Sequence, residues 1–282
     1  MNSKSPLNVD LHCHSSVSDG VLAPAELAER ASRNGVDVWS LTDHDELSGV
    51  AEAGRAAREL GMVFIPGVEV STTWANQTVH VVGLNVDVNN AVLQEGLNGI
   101  RADRIERARE MARRLEAQGV AGSYEGALRY AGNPGLLSRT HFARFMVEQG
   151  LCKGMQEAFD KYLGDGKPGY VRVHWSSLSQ AVSWILAAGG RAVLAHPGRY
   201  MYTPTQFGAL FDDFKQLGGQ GIEVVTGSHR PDQYRQYADI ARQYGFLASR
   251  GSDFHAPGES RIDLGALPPL PPGLTPVWHD WI

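Results

Sequence analysis

Cysteine is scarce in this chain of 282 residues, with Cys13 and Cys152 the only two. Two thiols do not make the disulfide framework of a small secreted domain, so a cytoplasmic protein is the default expectation. No stretch approaches the ~18 consecutive apolar residues of a membrane-spanning helix. The opening Met1-Asn2-Ser3-Lys4-Ser5-Pro6 lacks the apolar centre of a signal peptide. No run of Lys and Arg forms a basic arm, and the formal net charge is −5 with His neutral. That balance argues against tight binding of duplex nucleic acid and against a membrane partner. It still allows a small phosphorylated ligand, because bound cations can dominate the local field. Internal repeats and low-complexity segments are also missing. At 43% hydrophobic and 20% charged residues, the chain has the material for one large α/β domain, or one domain with an insertion.

What the chain does have is histidine and carboxylate at the ends of strand-like runs. Val9-Asp10-Leu11-His12-Cys13-His14 reads as an apolar strand ending in two imidazoles. Side chains at i and i+2 of a strand share a face. His12 and His14 therefore aim at one point, while Leu11 and Cys13 face the other way. Alone, the pair is read as readily as two satisfied core histidines as a metal site. Later runs repeat the pattern. Asp43-His44 closes Val36–Thr42, and Glu69 closes Val63–Val68. His80 lies in Thr78–Gly83, His196 closes Ala192–Ala195, and Asp253 and His255 follow Phe246–Ser252. In α/β folds chemistry gathers at the carboxyl ends of strands.

The first 70 residues alternate strand and helix, which predicts parallel strands. Helices are expected from Leu22 to Ala31 and from Leu47 to Leu60, stopped by Gly35 and Gly61. The rhythm breaks after Val88. Residues from about Ala91 to Leu163 carry helical patterns, clearest in Ile100–Leu115, with further helices near His141 and Gln156. The arginines of Ile100–Leu115 read first as a solvated face; the alternative is a lid whose guanidinium groups meet an anionic substrate. The strand-helix rhythm returns at Tyr170–Val173 and runs to Asp253. The proline-rich stretch Leu267–Gly273 can be neither helix nor central strand. It is expected to wrap the surface, docked by Trp278 and Trp281. His174, beside Trp175, reads as structural.

Collected in order, the candidates are His12, His14, Asp19, His44, Glu69, His80, His141, His196, Asp253 and His255, which include seven of the 10 histidines. One divalent ion usually takes about four to six ligands, so this is too many for one. A bridging carboxylate such as Glu69 can join two ions ~3.5–4 Å apart, a familiar hydrolytic arrangement for phosphate esters. Mixed imidazole and carboxylate ligands suit Mn²⁺, Zn²⁺ or Fe²⁺.

Five segments resemble the polymerase and histidinol phosphatase (PHP) family of the amidohydrolase superfamily. They are Asp10–Ser15, Leu41–Asp45, Pro66–Ser71, Val193–Gly198 and Gly251–His255. The resemblance implies a distorted (β/α)7 barrel, formed by residues 1–90 and 165–282, with 91–164 as a helical insertion over the strand ends. It implies His12, His14, Glu69 and Asp253 as ligands of a first ion, and Glu69, His80 and His141 as ligands of a second. Asp19, His44 and His255 match the positions of a third ion in some members; where that ion is missing, Asp19 or His255 is free for proton transfer. Two or three ions are thus expected, Mn²⁺ first.

His196 has two readings, a metal ligand or a cation that binds phosphoryl oxygens and protonates the leaving group; the second is preferred. Arg139, two residues from His141, can grip phosphate in a forked geometry. Ser138 and His229 are further candidates for touching substrate. The expected reaction is attack on phosphorus by a hydroxide bridging two ions. Within the family the chain is most similar to stand-alone enzymes acting on nucleotides. The substrate implied is a nucleoside 3′,5′-bisphosphate that loses its 3′-phosphate, handled by a cytoplasmic monomer. The alternatives are a 5′→3′ exonuclease on short oligonucleotides and a histidinol phosphate phosphatase.

Overall fold

A computed structural model describes residues 7–172 and 175–282. The opening hexapeptide, Val173 and His174 lie outside the described residues. The strand-helix alternation of the first third is present. Strand β1 (Val9–Asp10), helix α1 (Pro24–Arg33), strand β2 (Val38–Trp39), helix α2 (Val50–Glu59) and strand β3 (Val63–Phe64) follow one another. β1, β2 and β3 pair in parallel. α1 begins at Pro24, whose missing N–H is harmless in a first turn.

The single strand expected before Glu69 is two strands. Ile65 N still bonds Trp39 O of the first sheet. Pro66 then has no N–H to offer a ladder, and the chain leaves for a second sheet as β4 (Gly67–Trp74). β4 turns back at Ala75-Asn76, both with positive φ (46° and 62°), into antiparallel β5 (Gln77–Leu84). This hairpin interrupts the parallel alternation.

The helical block is α3 (Ala91–Glu116), α4 (Ser123–Leu128), α5 (Arg139–Glu148) and α6 (Met155–Ala158). Its apolar side chains make their own cluster, with Met111, Leu115, Phe142, Met146 and Leu163 all buried. Tyr170–Arg172, expected as a strand, has no regular structure. Strands resume at β6 (Ser176–Ser177), followed by α7 (Leu178–Ala187), β7 (Arg191–Leu194), α8 (Pro204–Gln216), β8 (Gly221–Thr226), α9 (Pro231–Tyr244) and β9 (Leu247–Gly251).

The second sheet is mixed, in the order β6-β4-β5-β7-β8-β9. The two sheets are not closed into a barrel by regular ladders. Isolated bridges tie them, Cys13 to Phe254 and His44 to Glu69. Asp253 N bonds His12 O at 2.8 Å and Leu11 N bonds Arg250 O at 3.0 Å, so the chain beyond β9 runs against the chain beyond β1. A Cβ on Gly251 would lie 2.3 Å from that of His12, so only glycine permits this approach. The tail docks as expected: Val277 is buried with Val9 and Leu11, and Trp281 lies under the Arg191 guanidinium at 4.8 Å.

Candidate metal centre and anion cleft

The residues at the seam between the sheets converge. His12 and His14 are fully buried just past β1. Their Nε2 atoms lie 3.1 Å apart. Glu69 Oε2 stands 3.4 Å from His12 Nε2 and 3.3 Å from His14 Nε2. Asp253 Oδ1 completes the ring at 3.6 and 3.3 Å from the same two nitrogens. Donor atoms about 3 Å apart suit a common ion, because metal–nitrogen bonds of about 2.0–2.1 Å at tetrahedral or octahedral angles give that spacing. Cys13 faces away, as its place in the strand predicts, and its Sγ contacts Trp39 Nε1 at 3.3 Å in the core.

A second group forms on the other side of Glu69. Its Oε1 is 3.0 Å from His80 Nδ1 and 2.9 Å from His196 Nε2. Its Oε2 is 2.9 Å from His44 Nδ1. A third group surrounds Asp19 Oδ1, with His255 Nε2 at 3.3 Å and His44 Nε2 and His14 Nδ1 each at 3.9 Å.

The donor set fits divalent cations. His14 Nδ1, Asp19 Oδ1, His44 Nδ1 and Glu69 Oε2 are buried without a hydrogen bond, although partners stand close. A buried polar atom left unpaired costs roughly 1–3 kcal/mol, so four in one cluster point to a ligand rather than to packing. Charge states agree. Burial, then the neighbouring His255 and His44, push His14 down to about 3. Burial and the nearby Arg199 guanidinium push His196 down to about 3. Burial raises Asp19, Glu69 and Asp253, but the surrounding imidazoles outweigh it and hold all three well below the usual carboxylate range. On His12, His44 and His255 burial lowers the pKa, but the neighbouring carboxylates outweigh it and raise all three, His255 to about 9; ligation needs neutral imidazoles, so metal binding there would release protons.

One expected ligand is elsewhere. His141 is fully buried on α5, but it belongs to none of the close ligand groups among the described residues. Its Nδ1 accepts from Ser138 N at 3.0 Å, and its Nε2 has no partner. The place expected for His141 beside Glu69 is taken by His196, because the turn after β7 delivers that ring to Oε1. Two candidates for touching substrate are also committed internally. His229 is 2% exposed. Its Nε2 accepts from Gly198 N at 2.9 Å, its Nδ1 donates to Val224 O at 3.2 Å, and its ring stacks on Tyr237. Ser138 caps α5 and donates to Asp19 Oδ2 at 3.2 Å, which orients Asp19.

The clustered imidazoles open into a cleft of about 710 Å³ whose lining includes His80, His196, Arg107, Arg139, Arg172 and Arg199. A smaller space of about 140 Å³ continues from it to Asp19, His44, His255 and Ser138. Arg139 Nη1 rests 3.2 Å from Asp165 Oδ1 at the rim. Arg107 Nε is buried without a partner. Burial, then the charges of Arg139 and Arg104, bring its guanidinium down to about 9. Crowded guanidinium groups beside neutral imidazoles favour an anion. A groove of about 740 Å³ between α3 and α7 has acidic Glu95 and Asp103 in its wall and contains none of the ligand set.

The PHP domain matches residues 10–101. The 3′,5′-nucleoside bisphosphate phosphatase of Chromobacterium violaceum is 50% identical over 97% of this chain and 96% of its own. The chain belongs to the PHP family. A 5′-3′ exoribonuclease of Haemophilus influenzae is 41% identical over 96% of this chain and 98% of its own. Among solved structures, an amidohydrolase from C. violaceum with bound sulfate superimposes with a TM-score of 0.94 at 50% identity, covering 97% of this chain and 95% of that one.

The PHP site also contains residues that sequence reasoning passed over. Asp43 accepts from Ser15 N at 2.7 Å and Ser18 Oγ at 2.5 Å, and so shapes the loop that carries Asp19. Arg144 donates to Asp19 O at 2.8 Å. The arginines of α3 fall in two surroundings. Arg109 and Arg114 pair with Glu106 and Glu110 at the surface, while Arg104 is buried against Asp45 and Arg107 lines the cleft. A helical repeat of arginines announces both faces at once, which is why the sequence alone does not separate them.

Proposed function

We propose that the chain hydrolyses the 3′-phosphate of nucleoside 3′,5′-bisphosphates, releasing phosphate and the 5′-nucleotide. One observation carries this reading. His80 and His196, from the ligand cluster, share a cleft with Arg107, Arg139, Arg172 and Arg199. A substrate with two phosphates places one at each end. The C. violaceum relative named for this activity supports the choice.

In this reading His12, His14, Glu69 and Asp253 hold one ion, and Glu69, His80 and His196 hold a second. Asp19, His44 and His255 form a third site. Mn²⁺ is the first choice, with Zn²⁺ and Fe²⁺ as alternatives. When bound, such ions supply positive charge for the non-bridging oxygens and an activated water at neutral pH. The chain's own residues do the rest. Arg107 and Arg139 bind the second phosphate and hold the nucleotide in register. Asp19 and His255, 3.3 Å apart at the end of the smaller cavity, deliver a proton to the departing oxygen where they do not ligate an ion. Residues 91–164 serve as a lid subdomain, supported by their separate apolar cluster. The bridged sheets of 1–90 and 165–282 act as one distorted (β/α)7 barrel. We further propose a cytoplasmic monomer; no helix among the described residues is long and apolar enough to cross a membrane.

The exoribonuclease relative supports a second reading, 5′→3′ trimming of short RNA with the same ligands. Phosphate and nucleotide release with Mn²⁺ separates the two. Adenosine 3′,5′-bisphosphate, 5′-AMP, histidinol phosphate and a short 5′-phosphorylated RNA are compared. Fast phosphate release from the bisphosphate alone is expected. In Arg107→Met, KM for it should rise by about 10- to 100-fold, the value of a charged hydrogen bond. Mononucleotides from the RNA with the bisphosphate inert would overturn the first reading in favour of the second.

A further inference from the structure

We propose that Glu223 is a positioning residue for the metal centre. One buried carboxylate fixes the tautomer of His12 and pins the turn that presents His196. The inference rests on the reading that these two imidazoles hold divalent ions.

Glu223 lies within β8 and is 1% exposed. The β8–β9 register shifts between Glu223 and Val225. Glu223 itself stays in register with Ser249, and its side chain alternates with those of Ile222 and Val224, which are buried in the large apolar core. Glu223 Oε1 lies 2.7 Å from His12 Nδ1. A carboxylate only accepts, so that nitrogen carries the proton. With Nδ1 committed to Glu223, Nε2 is the nitrogen that faces His14, Glu69 and Asp253 and would offer its lone pair to an ion bound there. Glu223 Oε2 accepts from His196 N at 2.6 Å. His196 has φ +27° and ψ 56°, outside the usual basins for an L residue. Backbone held there persists only where its surroundings over-determine it, and the Glu223 bond is one such constraint. It places His196 Nε2 at 2.9 Å from Glu69 Oε1.

Glu223 therefore serves two donors, His12 Nδ1–H and His196 N–H, with two acceptor atoms. Glutamine has the same shape and only one acceptor. In Glu223→Gln either His12 is driven to the Nε2–H form, which cannot ligate, or the His196 amide faces an NH₂ group. Aspartate keeps both acceptors on a shorter arm.

The test uses full-length wild type, Glu223→Gln and Glu223→Asp, stripped by chelation. Each is titrated with Mn²⁺ by calorimetry, and histidine ring ¹⁵N shifts and urea unfolding are recorded on the metal-free proteins. We expect Mn²⁺ affinity to fall by about 10- to 100-fold in Glu223→Gln, the usual effect of losing such an outer partner. The Nδ1–H signature of His12 should be lost or exchange-broadened, or the His196 amide resonance should shift. Glu223→Asp should recover part of the affinity, and it alone decides if the glutamine variant does not fold. Unchanged affinity in both variants with a wild-type His12 signature overturns the proposal. So does a drop in metal-free stability with affinity unchanged, which marks a packing role. Wild type that takes up no Mn²⁺ overturns the metal-centre reading instead, and the tautomer readout still decides the role of Glu223.

Discussion

At the scale of single residues, the site is held by groups whose polar atoms are committed within the protein. His229 shows how. Its two ring nitrogens join β8 to the turn after His196, through Val224 O and Gly198 N. Both bonds require the neutral ring with its proton on Nδ1. Burial first, then the charge of Arg199, push its pKa down to about 4, against a bond to Val224 O that acts the other way. The unfolded chain therefore takes up this proton near pH 6.5, before the folded protein does. Stability from His229 is complete above that pH and is lost as pH falls toward 4, about 3 kcal/mol in all. In His229→Gln the fall in urea stability between pH 7 and pH 5 should be smaller than in wild type by about 2 kcal/mol. Superimposable pH profiles would show that the imidazole titrates freely. The sequence placed His229 past a strand end, where it lies, and suggested substrate contact, whereas both its ring nitrogens are bonded within the protein. A histidine near a site has the same one-letter code whether its nitrogens face a cleft or a carbonyl.

At the scale of elements, the legible features were those with a strong local cause. Helices α1 and α2, with Gly35 and Gly61 just past them, came directly from spacing and punctuation, and so did the long helix α3. The Pro-rich tail was also legible, since proline excludes both regular structures. The split of β3 from β4 was hidden because Val63–Val68 reads as one apolar run, and which sheet each half joins is a tertiary choice. Glu223 was hidden for a related reason. In Gly221-Ile222-Glu223-Val224-Val225-Thr226 a single glutamate alternating with apolar residues reads as the exposed face of a strand, and that this face is covered by the histidine cluster is a tertiary fact. Gly251 is a further case, an unremarkable glycine in sequence that lets β9 meet β1. Gly251→Ala sets a methyl 2.3 Å from His12 Cβ and 2.6 Å from His12 N. Both belong to the buried His12 just past β1, whose neighbours leave it little freedom, so the cost should be about 1–3 kcal/mol, typical of overpacking. Because the strained seam also sets His12 and Asp253, Mn²⁺ affinity should weaken along with urea stability. Wild-type values for both would mean that the seam relaxes without cost.

At the scale of the whole molecule, two sheets, a hairpin and a helical block each contribute part of one charged centre. That most of these imidazoles and carboxylates would converge was readable in the sequence, because His-x-His and Asp-x-His at strand ends place side chains by period alone. That His196 rather than His141 stands beside Glu69 was not readable, since it depends on how α5 and the β7 turn sit against Glu69. The same assembly leaves Asp19, Glu69 and Asp253 ionised and close together beneath buried imidazoles. In the metal-free fold their charge is balanced by neighbouring imidazoles, His12, His44 and His255, a counter-charge that bound divalent cations would replace. Divalent cations that bind the folded centre should therefore couple metal binding to the unfolding of the whole chain. At a free Mn²⁺ concentration of about 100 Kd, one site contributes about 2.7 kcal/mol, and for a chain of this size that raises the unfolding midpoint by about 5 °C. Calorimetric scans at fixed protein concentration, from excess chelator through rising free Mn²⁺, should show a midpoint that climbs with the logarithm of the ion concentration. Asp253→Asn, which removes a ligand charge while keeping shape, should flatten that climb and lower the chelated midpoint, because the ionised carboxylate is stabilised in the fold by its imidazole neighbours. A wild-type midpoint indifferent to Mn²⁺ would mean that the folded centre does not select the ion over the unfolded chain, and the proposed hydrolytic role for these residues would go with it.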